Sequence, residues 1–85
     1  MQNNKGFSID DFISYIDIKL STIKNDYIDL NSGEIHRELG GYPGKNHSMP
    51  SCCEAMRRLM TKQDYILKQP LKGNGASLTI RYFKR

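Results

Sequence analysis

The sequence predicts a small α+β domain with three helices and a C-terminal β-hairpin. Two short helical segments, 33–39 and 50–61, flank a turn that is rich in glycine and proline. After residue 64 the apolar period changes to two, which is typical of strands. An earlier, longer helix is indicated by apolar residues at helical spacing: Ile9, Phe12, Ile13, Ile16, Leu20 and Ile23. The chain has 85 residues, enough for one domain with a small core.

The first helix is expected over residues 9–24, after a flexible N-terminus that covers residues 1–7. Ser8 is a suitable N-cap for this helix. Ile18 faces away from the apolar stripe, so it is either an incidental exposed residue or part of a partner contact. The run 27–30 is rich in strand formers and predicts a short strand that pairs with the later hairpin.

Two capping signals bound the shorter helices. Asn31 with Glu34 resembles a capping box before the second helix, and Ser51 with Glu54 gives a similar signal at the third. The second helix is expected to end at a pair of glycines. The connector 40–50 has three glycines and two prolines, so it is longer than the tightest turn between two helices.

The predicted hairpin has strands at 65–69 and 76–83, joined by a turn at 70–75. Gly73 and Gly75 can take the positive φ angles that hairpin loops require. In the second strand polar residues alternate with apolar ones, which predicts one buried face formed by Leu78, Ile80 and Tyr82.

The charge of the chain is divided unevenly between its halves. The net charge is +4 and the isoelectric point about 9.2. Residues 1–42 carry four bases and seven acids, a balance of −3, whereas residues 43–85 carry nine bases and two acids, a balance of +7. Such a basic half attracts polyanions. A solvated basic surface with no partner is the alternative.

Several classes of protein are disfavoured by composition. The chain has no run of about 18 apolar residues and no apolar signal core, so no membrane segment is predicted and a cytoplasmic location is expected. Cys52 and Cys53 diverge on a helix, which disfavours a disulfide and favours buried thiols. With His36 and His47 they lack the spacing of a zinc site. We therefore expect no metal, no other cofactor and no catalytic activity.

The order of elements (helix, short strand, helix, turn, helix, strand, loop, strand) resembles the winged helix-turn-helix family over residues 8–84. In that family the third helix enters the DNA major groove, and the loop between the last two strands is a wing that contacts the backbone or minor groove. The resemblance implies a single winged-helix domain at 8–85, with 50–61 as the recognition helix and 70–75 as the wing.

Three groups of residues are candidate nucleic-acid contacts. Arg57 and Arg58 can reach guanine edges or phosphates, and Ser51 can bond a phosphate. The alternative is a solvated helix face with an internal Glu54–Arg58 pair. The other two groups lie in loops: Lys45, Asn46 and His47 before the third helix, and Lys72 and Asn74 at the wing tip.

The two loop groups have different physical reasons behind them. Lys45, Asn46 and His47 precede a helix N-terminus, where backbone N–H groups and the helix dipole favour a phosphate, but they equally suit a polar loop. Lys72 and Asn74 can contact a nucleic-acid backbone. Lysines near a sheet edge, such as Lys68, also protect against aggregation.

These features predict a small, non-catalytic DNA-binding protein, such as a transcriptional regulator. The run GGYPGKNHSMPSCC, with the later GNGASLTIRY, also resembles a pattern found in small bacterial and mobile-element proteins. That resemblance leaves an alternative open: an accessory subunit that binds a larger replication or recombination enzyme of a mobile element. The oligomeric state is left open.

Overall fold

Three helices and one three-stranded antiparallel sheet make up the part of the chain that the structure, a computed structural model, describes: residues 7–40 and 48–85. The predicted α+β class is confirmed. None of the helices in these two ranges is long and apolar enough to cross a membrane. In chain order the elements are α1 (Ile9–Ser21), β1 (Tyr27–Asn31), α2 (Ser32–Leu39), α3 (Met49–Arg58), β2 (Tyr65–Lys68) and β3 (Thr79–Phe83).

Helix α1 begins at the predicted cap but ends at Ser21 rather than at residue 24. Ser8 Oγ accepts a hydrogen bond from Asp11 N–H (3.2 Å), and Ser8 N–H donates to the Asp11 carboxylate (2.9 Å), which completes a capping box. At the other end, the hydroxyls of Ser21 and Thr22 donate to the carbonyl of Ile18 (2.8 and 3.3 Å). Such side-chain bonds compete with the helical ladder, and the helix ends there.

The strand order in the sheet is β1-β3-β2, so the last strand of the chain lies in the middle. Tyr27 pairs with Phe83 at one end of β1, and Asn31 pairs with Thr79 at the other. The short early strand and its pairing with the hairpin are therefore confirmed. The inner sheet face is also as predicted, because three side chains are fully buried there: Leu78, Ile80 and Tyr82.

The connection between β2 and β3 is longer than predicted and runs from residue 69 to residue 78. The expected strand at 76–83 begins only at Thr79, because the carbonyls of Ala76 and Leu78 accept hydrogen bonds from α2 instead of from β2. Gly73 has the predicted positive φ (86°), whereas Gly75 does not. A Cβ at position 75 would lie 3.1 Å from Pro70 Cβ, so a larger residue would fit there only if Pro70 moved by a few tenths of an ångström.

Helix α2 begins at Ser32, one residue before the predicted start, and ends at Leu39 as predicted, with only the Asn31 half of the expected capping box present. Asn31 is the N-cap, and its Oδ1 accepts a hydrogen bond from Glu34 N–H (3.0 Å). Gly40 follows the helix with φ of 121°, a conformation that favours glycine.

Helix α3 begins at Met49, so the predicted capping box of Ser51 with Glu54 is wrong. The helix starts earlier because the Ser48 carbonyl already accepts a hydrogen bond from Cys52 N–H (3.0 Å), which places Ser51 inside the first turn. The N-cap residue, Ser48, makes no side-chain capping bond. Pro50 lies in the first turn, as expected.

Asp64 explains why α3 ends at Arg58 rather than at residue 61. Its side chain is 0% exposed, and its carboxylate accepts hydrogen bonds from Thr61 N–H (2.7 Å), Phe83 N–H (2.8 Å) and Arg85 (2.8 Å). With its N–H committed to Asp64, Thr61 cannot continue the helix. Burial alone raises the pKa of this carboxyl, but the bonds from Phe83, Thr61 and Arg85 outweigh burial and lower the pKa.

The core joins the apolar side of α1 and α3 to the inner face of the sheet. Both cysteines are free and buried, as predicted, and burial raises the pKa of Cys52 to about 12. Tyr82 is fully buried, and its hydroxyl donates to the Met56 carbonyl (2.7 Å). Phe7, expected in the flexible N-terminus, packs its ring 5.9 Å from that of Phe12.

Candidate nucleic-acid interface

Arg57 links helix α3 to the β2–β3 loop. Its Nη1 donates to Asn74 Oδ1 (2.7 Å), and its Nη2 donates to the Gly73 carbonyl and makes a long contact with Gln69 Oε1 (3.5 Å). The sequence predicts Arg57 as a direct nucleic-acid contact, but here the guanidinium is engaged by the loop. Helix and loop therefore lie side by side, and we call their polar residues the helix–loop surface: Ser51, Glu54, Arg57, Arg58, Lys72 and Asn74.

Arg58 is paired with Glu54 on the exposed side of α3. Arg58 Nε lies 3.0 Å from Glu54 Oε2, at i,i+4 spacing, and both side chains are about half exposed. This is the internal pair that the solvated-face alternative requires. An exposed pair of this kind stabilises a helix by only about 0.3–0.5 kcal/mol, so it opposes the transfer of Arg58 to a phosphate only weakly.

The tip of the β2–β3 loop is a tight turn. Gly73 N–H donates to the Pro70 carbonyl (3.1 Å), which leaves Leu71 and Lys72 at the two corners. Pro70 is buried, whereas Leu71 is fully exposed. Lys72 is also exposed and forms no hydrogen bond or ion pair with residues 7–40 or 48–85. The turn therefore exposes one cationic side chain, Lys72, and one apolar side chain, Leu71, to solvent.

The returning half of this loop packs against the N-terminus of α2. Ser32 N–H donates to the Leu78 carbonyl (2.8 Å), Gly33 N–H to the Ala76 carbonyl (3.1 Å), and Ser32 Oγ to the Gly75 carbonyl (2.6 Å). These bonds satisfy N–H groups that have no partner within the helix. This contact was not predicted from the sequence, because neither Ser32 nor Gly33 belongs to an apolar pattern.

Gly33→Ala will test how closely loop and helix must approach. An added Cβ would lie 2.9 Å from the Ala76 carbonyl oxygen, so one backbone segment must move. Overpacking typically costs about 1–3 kcal/mol, and the helix propensity of alanine returns less than about 1 kcal/mol. We expect a net loss of about 1 kcal/mol in denaturant unfolding. Glu34→Ala, at an exposed neighbour, is the control; equal stability of the two variants would contradict the close approach.

Lys45, Asn46 and His47 lie outside the described residues. Of the other predicted contacts, Arg57 and Asn74 are brought together directly, and Lys72 is two residues from Asn74 in the same loop. Ser51 is half-buried on α3, two helical turns before Arg58. Gln69 and Gly73 were not predicted as partners of Arg57, because no local pattern in the sequence marks them.

His36, considered as a metal ligand and set aside, is a core residue instead. It is fully buried, with its ring centre 4.9 Å from that of Phe12. Nε2 accepts a hydrogen bond from Ser48 N–H (2.8 Å), so the ring proton is on Nδ1, which lies 3.0 Å from the Gly40 carbonyl. In the part of the chain that the structure covers, no three His, Cys, Asp or Glu side chains are grouped closely enough to hold a metal ion.

Of the cations on the helix–loop surface, Arg58 and Lys72 are exposed to solvent, whereas Arg57 is hydrogen-bonded to the loop. On α1 and α2, the Glu38 carboxylate is bound by Lys19 (3.0 Å) and by the Tyr15 hydroxyl (2.7 Å). Comparison of the chain with protein-family models, with curated proteins and with solved structures gave no match.

Proposed function

We propose that this protein is a small, non-catalytic DNA-binding protein that contacts duplex DNA through the helix–loop surface. In this proposal the domain is a winged helix-turn-helix domain, with α3 as the recognition helix and residues 70–75 as the wing. One observation carries it: the hydrogen bonds of Arg57 to Gly73 and Asn74 fix the loop beside α3, so that both can meet one duplex.

The charge distribution supports this proposal. The helix–loop surface carries three bases (Arg57, Arg58 and Lys72) against one acid (Glu54), a balance of +2. Lys72 is exposed at the turn, and Arg58 is held only by an exposed pair. Cations in such positions gain by replacing the counterions of a phosphate backbone. The free thiols of Cys52 and Cys53 fit the reducing cytoplasm in which we place the protein.

The test is duplex binding as a function of salt, with Arg58→Gln and Lys72→Gln. Each substitution removes one cation, so each is expected to weaken binding to any duplex and to reduce the slope of log K against log salt by about 1. Lys24→Gln is the matched control, because Lys24 is exposed on the connection between α1 and β1. Arg57 is left unchanged in this experiment because its loss would also displace the loop.

Two results would contradict duplex binding: no binding at low salt, or an equal effect of Lys24→Gln. The second candidate function is that of an accessory subunit on a larger replication or recombination enzyme. The full exposure of Leu71 at the turn favours it, since an apolar side chain held out in this way suits a pocket on another protein. Absence of duplex binding, together with co-purification of one large partner, would support this function instead.

A further inference from the structure

The face of the sheet that points away from the helices carries rings and charges. Register partners share a face of the sheet, and Ile80 and Tyr82 of β3 are buried on the inner one. Thr79, Arg81 and Phe83 alternate with them along β3, so these three residues and their partners in β1 and β2 lie on the outer sheet face. This face includes Tyr27, Asp29, Tyr65, Lys68, Arg81 and Phe83.

Three aromatic rings form a row across the outer sheet face. The ring centre of Phe83, in the middle strand, lies 5.9 Å from that of Tyr27 on one side and 5.9 Å from that of Tyr65 on the other. Tyr27 is 41% exposed and Tyr65 is 46% exposed. The rings thus stabilise the sheet by mutual contact and still present a large aromatic area to solvent.

Arg81 lies among these rings. Its guanidinium carbon is 3.9 Å from the ring centre of Tyr27, and its nitrogens bind both carboxylate oxygens of Asp29 (2.8 and 3.0 Å). Hydrogen bonds from Arg81 hold the pKa of Asp29 below its usual value, so the acid stays charged and compensated. The negative charge of Asp29 therefore does not repel an anion approaching this face.

A β-bulge adds a second cation to the face. Ile66 pairs with Ile80, but Lys68 pairs with Thr79, so the strand has one extra residue at Leu67. In a regular register Lys68 would oppose the buried Leu78; the bulge turns it to the outer side instead. The three strands hold only Asp29, Lys68 and Arg81 as charged residues, which gives the sheet a net charge of +1.

We propose that the outer sheet face binds single-stranded nucleic acid. Unpaired bases stack on Tyr27, Phe83 and Tyr65, while the phosphates between them are bound by Lys68 and Arg81. Stacked rings with an adjacent guanidinium suit this ligand, because every base has a π face and every linkage an anion. An apolar protein surface, in contrast, would leave the charge of Lys68 without a partner. This site is separate from the helix–loop surface and does not depend on duplex binding there.

The absence of tryptophan from the chain permits a direct test. In Tyr65→Trp, stacking of a base should quench the indole fluorescence when a thymidine oligonucleotide is added. Tyr27→Leu and Tyr65→Leu keep apolar contacts but remove the ring, and each should weaken oligonucleotide binding about tenfold. Tyr15→Leu is the matched control, since Tyr15 lies on α1 and binds Glu38. Arg58→Gln should leave oligonucleotide binding unchanged.

Unfolding curves are measured first to show that every variant is folded. If Tyr27→Leu or Tyr65→Leu does not fold, Phe83→Leu takes its place. The proposal is overturned if the oligonucleotide does not bind, if it binds without quenching, or if both leucine variants bind as the wild type does. Weakening by Arg58→Gln alone would also overturn it and would assign single strands to the helix–loop surface. Capture of a protein by this face, with no oligonucleotide binding, would overturn it in favour of a protein contact.

Discussion

Replacing Asp64 by alanine will destabilise the protein by at least about 2 kcal/mol, because leaving a buried donor without its acceptor typically costs about 1–3 kcal/mol. The side chain is fully buried, and its carboxylate binds the backbone N–H groups of Thr61 and Phe83 as well as Arg85. All three donors would lose their acceptor at once. Urea unfolding at neutral pH measures this loss. Asp17→Ala, at an exposed acid of α1, is the control and should change stability by less than about 0.5 kcal/mol.

The same carboxylate predicts a dependence of stability on pH. The pKa of Asp64 is lower in the folded protein than its ordinary value of about 4. Its contribution is therefore fully present above that ordinary value and is lost as the pH falls through the lower, folded-state pKa. Asp64→Ala should unfold with a weaker pH dependence below about pH 4. Part of the pH dependence should remain in the variant, because the pKa values of Asp29 and Glu38 are also lowered. If wild type and variant had identical acid unfolding profiles, Asp64 would not be a titrating group that contributes to stability.

His36→Ala is expected to cost at least about 3 kcal/mol. Truncating a large buried side chain typically costs about 2–5 kcal/mol, and this substitution also removes the acceptor of Ser48 N–H and the nitrogen beside the Gly40 carbonyl. Those two residues flank the segment between α2 and α3, so both helix ends lose a contact. Thermal and urea unfolding measure the loss.

His36→Gln serves as the comparison, because an amide supplies both a donor and an acceptor at similar length. It should retain part of the stability that alanine loses. Amide exchange adds a local measurement: the Ser48 N–H should exchange faster in His36→Ala than in wild type. Unchanged protection of that amide would show that the imidazole does not hold the start of α3.

The regular elements were predictable because their information is local. Phe12, Ile16 and Leu20 repeat at the helical period, and Ile80 and Tyr82 alternate as a half-buried strand requires. The roles of Asn31 and Gly40 were also predictable locally. The Asn31 side-chain oxygen suits an N-cap, and glycine at position 40 tolerates a positive φ. For these residues, position along the chain is enough to specify structure.

The candidate site was only partly predictable, because its contacts join polar residues that are distant in sequence. Arg57 and Asn74 are 17 residues apart, and nothing near either residue indicates the other. The capping box at Ser51 was predicted wrongly for a related reason. A serine three residues before a glutamate is a valid signal, but Ser48 begins the helix first, and His36, 12 residues away, binds its N–H.

The central place of β3 has a consequence for synthesis on the ribosome. Asn31 is made 48 residues before Thr79, its partner across the ladder. Until that partner emerges, β1 and β2 have no neighbour among the described strands, since each of them pairs with β3 in the finished sheet. A nascent chain interrupted before residue 79 would thus present two unpaired strands and the apolar side of α1 to the cell, and would be a ready substrate for chaperones and proteases.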